Sequence, residues 1–271
     1  SQGHIRDIEP LGKNSMGIDF EHGYQPNYVV EAHKEALIHQ LQTDSSEAIM
    51  QAMKTMAGNG IKSIIVDDYQ YVMANEYMSR CYENGYNKFT EIGRHAWDIL
   101  NTVRALPQDV IVYILCHIDR DDNGKEKIKT IGKLLDEKIC LEGMATIVLK
   151  TAVADGKYTF LTQNSGNDTV KSPEGMFPSY AIENDLYYVD QKIRAYFEFP
   201  EAVSAEQEKE MDEAAKTDVP APGPRRRRGE APAAAERCTR RLFKRKRQPK
   251  LCKSMAILKH IGSERNCAFR H

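Results

Sequence analysis

The chain has 271 residues and a mass of 30.8 kDa, with 41% hydrophobic and 28% charged residues, which suits one large domain, or one domain with a tail, able to bury its own core. No apolar run approaches the length of about 18 residues that a membrane span requires, and Ser1-Gln2-Gly3-His4 does not open a secretory signal, so neither is expected. The net charge of -1 hides an asymmetry: residues from 221 onward carry 16 Lys+Arg and 3 Asp+Glu, against 22 basic and 36 acidic residues before them. An acidic body with a basic arm is the pattern of an attached nucleic-acid-binding or simply solvated tail.

Residues 1–27 are rich in Gly and Pro and read as loop with one short strand. From Tyr28 to Gln42 the apolar residues Val29, Val30, Ala36, Leu37 and Leu41 approximate a helical stripe. Asp44, with Glu47 three residues on, resembles a capping box, and the helix that follows carries Ile49, Met50, Met53 and Met56 and stops at Gly58 and Gly60. Ile61 to Asp68 then reads as a strand buried on both faces, because Ile64-Ile65-Val66 is apolar and β-branched without alternation. Residues 86–106 form an amphipathic helix ended by Pro107, and Val110 to Cys116 forms a second continuous apolar strand that finishes at His117.

Residues 119–133 are charged and glycine-containing, and read as a loop or mobile segment. Asp136 to Leu141 gives a short helix. Met144–Val153 and Lys157–Gln163 flank Asp155-Gly156, a strong hairpin signal. A polar loop over 164–180 precedes a last helix over Ile182–Phe199. The body is expected to end near residue 200; 201–217 is acidic and helix-permissive, and 218–236 combines Pro, Ala, Gly and Arg in proportions that cannot build a core. Helix, buried strand, helix, buried strand and hairpin together predict an α/β fold, with a mainly parallel sheet flanked by helices and an antiparallel edge.

The six cysteines (Cys81, Cys116, Cys140, Cys238, Cys252 and Cys267) include no CxxC pair, which leaves zinc-ribbon and thioredoxin readings without support and points to free thiols in a reducing cytoplasm. Cys238, Cys252 and Cys267, with His260 and His271, have gaps that fit no standard zinc pattern.

The strongest chemical signal is Ile64-Ile65-Val66-Asp67-Asp68. Ligands of parallel α/β sheets sit outside the carboxyl ends of the strands, so a carboxylate just past an apolar strand faces that crevice. Asp67 suits Mg2+, which keeps several waters and takes one or two carboxylates plus phosphates, and Asp68 can position an attacking water. Acidic strand ends that only cap the next helix are as common. His117, at the tip of the neighbouring strand, offers a donor and an acceptor to a γ-phosphate, although a lone His more often caps a loop. Lys125, Lys127, Lys129 and Lys133 could meet a phosphate backbone, but interleaved Asp121, Asp122 and Glu126 favour a solvated loop.

A phosphate-binding loop reads G-x-x-x-x-G-K-[ST]. None of the pairs Gly12-Lys13, Gly124-Lys125 and Gly132-Lys133 satisfies it, and without those backbone amides triphosphate affinity should be very poor.

The succession IKSIIVDDYQYVMANEYMSR, GYNKFTEIGRHAWDIL, KIKTIGKLLDEK, DGKYTFLTQ and TVKSPEGMF resembles phage and prophage ATP-binding proteins of the RecA-like single-strand annealing group, often labelled AAA-family ATPases, over about residues 55–199. The resemblance implies a RecA-like P-loop NTPase fold, ATP and Mg2+ as cofactors, single-stranded DNA as partner, and a role in annealing or recombination in a bacterial host cytoplasm. By position Asp67 matches the Walker B acid that holds Mg2+, Asp68 its acidic neighbour, and His117 the sensor on the next strand. Lys171 corresponds to a loop residue facing nucleotide or a neighbouring subunit of a homo-oligomer. The absent strand and P-loop are expected just upstream of Ser1, and the lack of an initiator Met agrees with a longer reading frame. Two alternatives remain: a non-enzymatic single-stranded-DNA-binding or oligomerisation module using the basic tail, and a gene fragment without function.

Overall fold

The computed structural model describes residues 15–19, 41–131, 135, 138–154, 156–219, 221 and 253–258; for 15–19, 154 and 253–258 it describes the backbone alone. These residues form a mixed α/β fold. In chain order the elements are β1 (Ser15–Asp19), β2 (Leu41–Gln42), α1 (Ser46–Gly58), β3 (Ser63–Val66), α2 (Gln70–Ser79), α3 (Asn87–Thr102), β4 (Ile111–Arg120), β5 (Glu126–Ile128), α4 (Leu141–Met144), β6 (Ile147–Ala154), β7 (Lys157–Leu161), β8 (Ala181–Glu183), α5 (Leu186–Tyr196), α6 (Ala205–Ala214) and β9 (Lys253–Leu258).

The sheet runs β2-β1-β3-β4-β9-β6-β7-β8, with β5 paired to the outer part of β4. It divides into two halves. The ladders β2–β1, β1–β3 and β3–β4 are parallel, whereas β4–β9, β9–β6, β6–β7, β7–β8 and β4–β5 are antiparallel. The expected mainly parallel sheet with one antiparallel edge is therefore corrected to a mixed sheet among the described residues. Two short connections account for much of the difference: tight turns can join only antiparallel strands, and two such turns generate β5 and β7.

β3 and β4 are buried on both faces, as their uninterrupted apolar runs require. On one face Ile64, Val66, Val112, Ile114 and Cys116 pack with Ile49 and Met53 of α1, Met73 of α2 and Ile92 and Ile99 of α3. On the other, Ile65, Ile111, Tyr113 and Leu115 pack with Leu186, Val189 and Ile193 of α5. The alternation along each strand thus feeds two cores, one on each side of the sheet.

Several local expectations change. The cap of α1 is Ser45, whose hydroxyl accepts from the Ala48 N–H at 3.2 Å; Asp44 instead accepts from Asn75 Nδ2 at 3.1 Å. The helical stripe over 28–42 falls mostly outside the described residues, and its last two residues form β2. Residues 119–128 are a hairpin, not a loose loop: Asp121 Oδ1 accepts the N–H groups of Asn123 and Lys125 at 2.9 and 2.8 Å, and Gly124 takes the positive φ of 79° that this reversal needs. As a result β4 continues through His117 to Arg120 instead of ending there. The Asp155-Gly156 signal does mark a hairpin, with Ala154 paired to Lys157 and Gly156 at φ 78°.

The body also extends past the expected boundary near 200. α6 opens with a capping box, Ser204 with Gln207, and Asp212 accepts from Tyr188 Oη at 2.7 Å and from Lys192 Nζ at 3.1 Å. Lys216 bridges Ile182, and the Thr217 hydroxyl donates to the Ala181 carbonyl at 2.9 Å. Farther on, β9 lies inside the stretch expected to be structureless. Arg225 to Arg228 and most of the basic tail lie outside the described residues.

Candidate functional site

The turn after β3 aims two carboxylates at the neighbouring strand. Asp68 adopts φ 49°, a left-handed conformation that Asp tolerates better than most side chains, and the Asp67 carboxylate accepts the Asp68 N–H at 2.8 Å to fix it. The next residue ties the turn to β4, the Tyr69 N–H donating to the Leu115 carbonyl at 3.0 Å. The Tyr69 ring is fully buried and its hydroxyl reaches the Ala96 carbonyl of α3 at 2.7 Å, so the turn is anchored on both sides. α2 begins immediately afterwards, and the partial positive charge of its first turn suits acidic neighbours.

Register brings the tips together. Val66 pairs with Ile114, so the two residues beyond β3 lie beside the outer half of β4. The Asp68 Oδ1 and His117 Nε2 atoms are 3.2 Å apart, the Asp68 side chain being 4% exposed and that of His117 27%. Gln70 braces this contact from α2: its Nε2 donates to Asp68 Oδ1 at 3.3 Å, and its Oε1 accepts the His117 N–H at 3.1 Å. The edge of the imidazole meets the Tyr71 ring at 6.3 Å between centroids, and the Lys129 N–H donates to the His117 carbonyl at 2.9 Å. Asp67 is 9% exposed.

The surroundings are negative. Burial pushes the Cys116 thiol well up, and the charges of Glu142, Asp68 and Asp67 add to the effect. Glu142, itself buried, accepts the Ile128 N–H at 2.8 Å and the Thr169 hydroxyl at 3.4 Å. A carboxylate held against an imidazole orients the ring and favours its protonated form, leaving a unit able to hold or hand over a proton.

The sequence assigned Asp67, Asp68, His117 and Lys171 to one site, and the described contacts assemble the first three. Lys171 bridges Val148 through its backbone, N–H to carbonyl at 2.9 and 2.8 Å, on the side of β6 away from β9. That puts its backbone three strand spacings from β4, about 14 Å, and level with Ile114 instead of His117. Its charge acts on Cys140. For Mg2+, the described residues contain no group of three His, Cys, Asp or Glu placed to hold a metal. The donors present fit an ion that keeps most of its water and its phosphate ligands, with Asp67 as the protein oxygen.

Gln70 and Glu142 escaped the sequence reading. Gln70 sits three residues after Asp67 at the start of a helix, a position that could have drawn notice; Glu142 reaches the site only through tertiary packing and leaves no local trace. Searches of known family models and of curated proteins find no match to this chain.

Proposed function

We propose that this chain is a nucleotide-binding protein built on a RecA-like P-loop NTPase core, using ATP with Mg2+ to act on single-stranded DNA in phage recombination or annealing. The observation that carries this reading is the contact of Asp68 with His117, at 3.2 Å, where the neighbouring parallel strands β3 and β4 bring an acid pair and an imidazole together. In this reading Asp67 holds the ion through water and phosphate, Asp68 orients the attacking water, and His117 senses the γ-phosphate. Lys171, remote in its backbone, has a place only as a residue reaching a neighbouring subunit.

No P-loop motif occurs in the sequence, so affinity is expected to be weak and turnover impaired. The test is titration of the full chain with a fluorescent ATP analogue, with and without Mg2+ and with single-stranded DNA. Metal-dependent binding that is lost in Asp67→Asn supports the proposal; an Asp67→Asn variant that binds as the parent does overturns the assignment of Asp67.

A second, non-enzymatic reading is favoured by the depth of the aspartates, 9% and 3% exposed. Here the acid–imidazole contact is a structural clasp, and the basic tail binds single-stranded DNA through phosphate contacts. Salt-sensitive DNA binding that needs no nucleotide and falls when Arg225 to Arg228 are changed to Ala would select it.

A further inference from the structure

The basic C-terminal segment enters the body. β9 lies in the middle of the sheet, antiparallel to both β4 and β6, so these two strands run parallel to each other on either side of it. Because β9 opposes β4, its first residue stands at the end of the sheet where β3 delivers Asp67 and Asp68. Lys253 is the register partner of His117, and Ser254 is shared between Cys116 and Lys150.

The sequence of the strand agrees with this register. Met255, Ala256, Ile257 and Leu258 run beside Leu115 to Val112, which are buried, while Lys253 falls at the half-exposed His117. A slip of one residue in one direction would set Lys253 beside buried Cys116, and in the other Lys259 would enter the strand beside a buried apolar residue. Burying an ammonium group in that way is costly, so the two lysines that bracket the apolar run lock the register.

We propose that Lys253 is the cation of the candidate site: the C-terminal strand carries it to the Asp67, Asp68 and His117 cluster, where it takes a phosphate group of the nucleotide. This rests on the nucleotide reading above. A phosphate beside two carboxylates is repelled unless positive charge is supplied, and an ammonium point charge working with a divalent ion is a common solution. The strand therefore completes a sheet and a binding site in one step, and the tail is part of the site as well as an arm.

Two measurements on the full chain test it. The first is placement. In a background with Cys238, Cys252 and Cys267 changed to Ser, the variant Ser254→Cys is expected to form a disulfide with Cys116 under mild oxidation, since register partners in antiparallel strands lie about 4.5–5.5 Å apart at Cα. Ala256→Cys, opposite Ile114 and Val148, should not. Absence of the first cross-link, or equal cross-linking by both, overturns the placement. The second is binding of Mg·ATP, tripolyphosphate and adenosine by the parent, by Lys253→Gln and by Lys259→Gln. Lys253→Gln should weaken ATP and tripolyphosphate about tenfold or more, which is about 1.4 kcal/mol, and leave adenosine unchanged; Lys259→Gln should match the parent. If the parent binds both phosphate probes and Lys253→Gln binds them equally well, this inference falls alone. A parent that binds neither overturns the nucleotide reading and this inference with it. Retention of the cross-link in a Lys253→Gln background shows that a loss of binding is not a loss of the strand.

Discussion

Replacing Arg194 with Met tests the most deeply buried ionic contact of the fold. Arg194 and Asp190 are 2% and 3% exposed, and Arg194 Nε lies 2.6 Å from Asp190 Oδ2. Burial opposes the guanidinium charge, but the Asp190 carboxylate outweighs it, so Arg194 stays charged. Its Nη2 donates to Ser63 Oγ at 2.9 Å, and the hydroxyls of Ser63 and Tyr113 donate to Asp190 Oδ1 at 2.9 and 2.6 Å. The cluster thus pins α5 to the starts of β3 and β4, at the opposite end from Asp68 and His117. Removing one partner of a buried ion pair costs about 3–5 kcal/mol, and the two hydroxyls that continue to serve Asp190 place this case near the lower figure. For a body of this size each kcal/mol lowers Tm by about 2–4 °C, so a loss of about 6–12 °C is expected. Urea unfolding followed by the single Trp, Trp97, reads the change from the other core, against which that ring packs. Adding Asp190→Asn to Arg194→Met removes the uncompensated charge yet keeps an acceptor for both hydroxyls, and should recover half or more of the loss. A cost below about 1 kcal/mol for the single change, or no recovery in the double, would refute the reasoning.

The backbone of Asp68 sets an order among its variants: with φ at 49°, Asp68→Ala should pay about 1–2 kcal/mol of left-handed strain that Asp68→Gly escapes, so thermal melts should rank Gly above Ala, and the reverse order would contradict the turn geometry. Stability should fall in acid. The Lys62 ammonium holds Asp109 below its ordinary 3.8, and at Glu126 burial works upward but bonds from Lys150 and Arg120 prevail and hold it below 4.5. Folded pKa values below the unfolded ones mean that this stability is complete above about pH 4.5 and is lost as pH drops through the folded values; Tm measured from pH 6 to 3 should decline, and less steeply in Lys62→Met. Cys116, buried and with its thiol pKa pushed well up, should resist iodoacetamide in the native protein and react on unfolding, while exposed Cys140 reacts first; early modification of Cys116 in peptide maps would argue against the packing of β4.

The local pattern of the sequence determined a good deal here. Continuous apolar runs at Ile64–Val66 and Val110–Cys116 could only be strands covered on both faces, the stripe from Phe89 to Leu100 could only be a helix with one buried side, and Asp155-Gly156 could only reverse the chain. Those elements place acids after one strand and an imidazole on another, and nothing local says that the two strands are neighbours. That adjacency, the 3.2 Å contact of Asp68 with His117 and the brace supplied by Gln70 were decided by tertiary register. So were the buried Arg194–Asp190 pair and the position of β9, where a basic, weakly patterned segment far along the chain enters the sheet. The physical reason is the range of the forces: periodicity and turn chemistry act over a few residues and are written in the sequence, whereas a buried ion pair or an inserted strand depends on which surfaces meet, and only the folded chain brings those surfaces together.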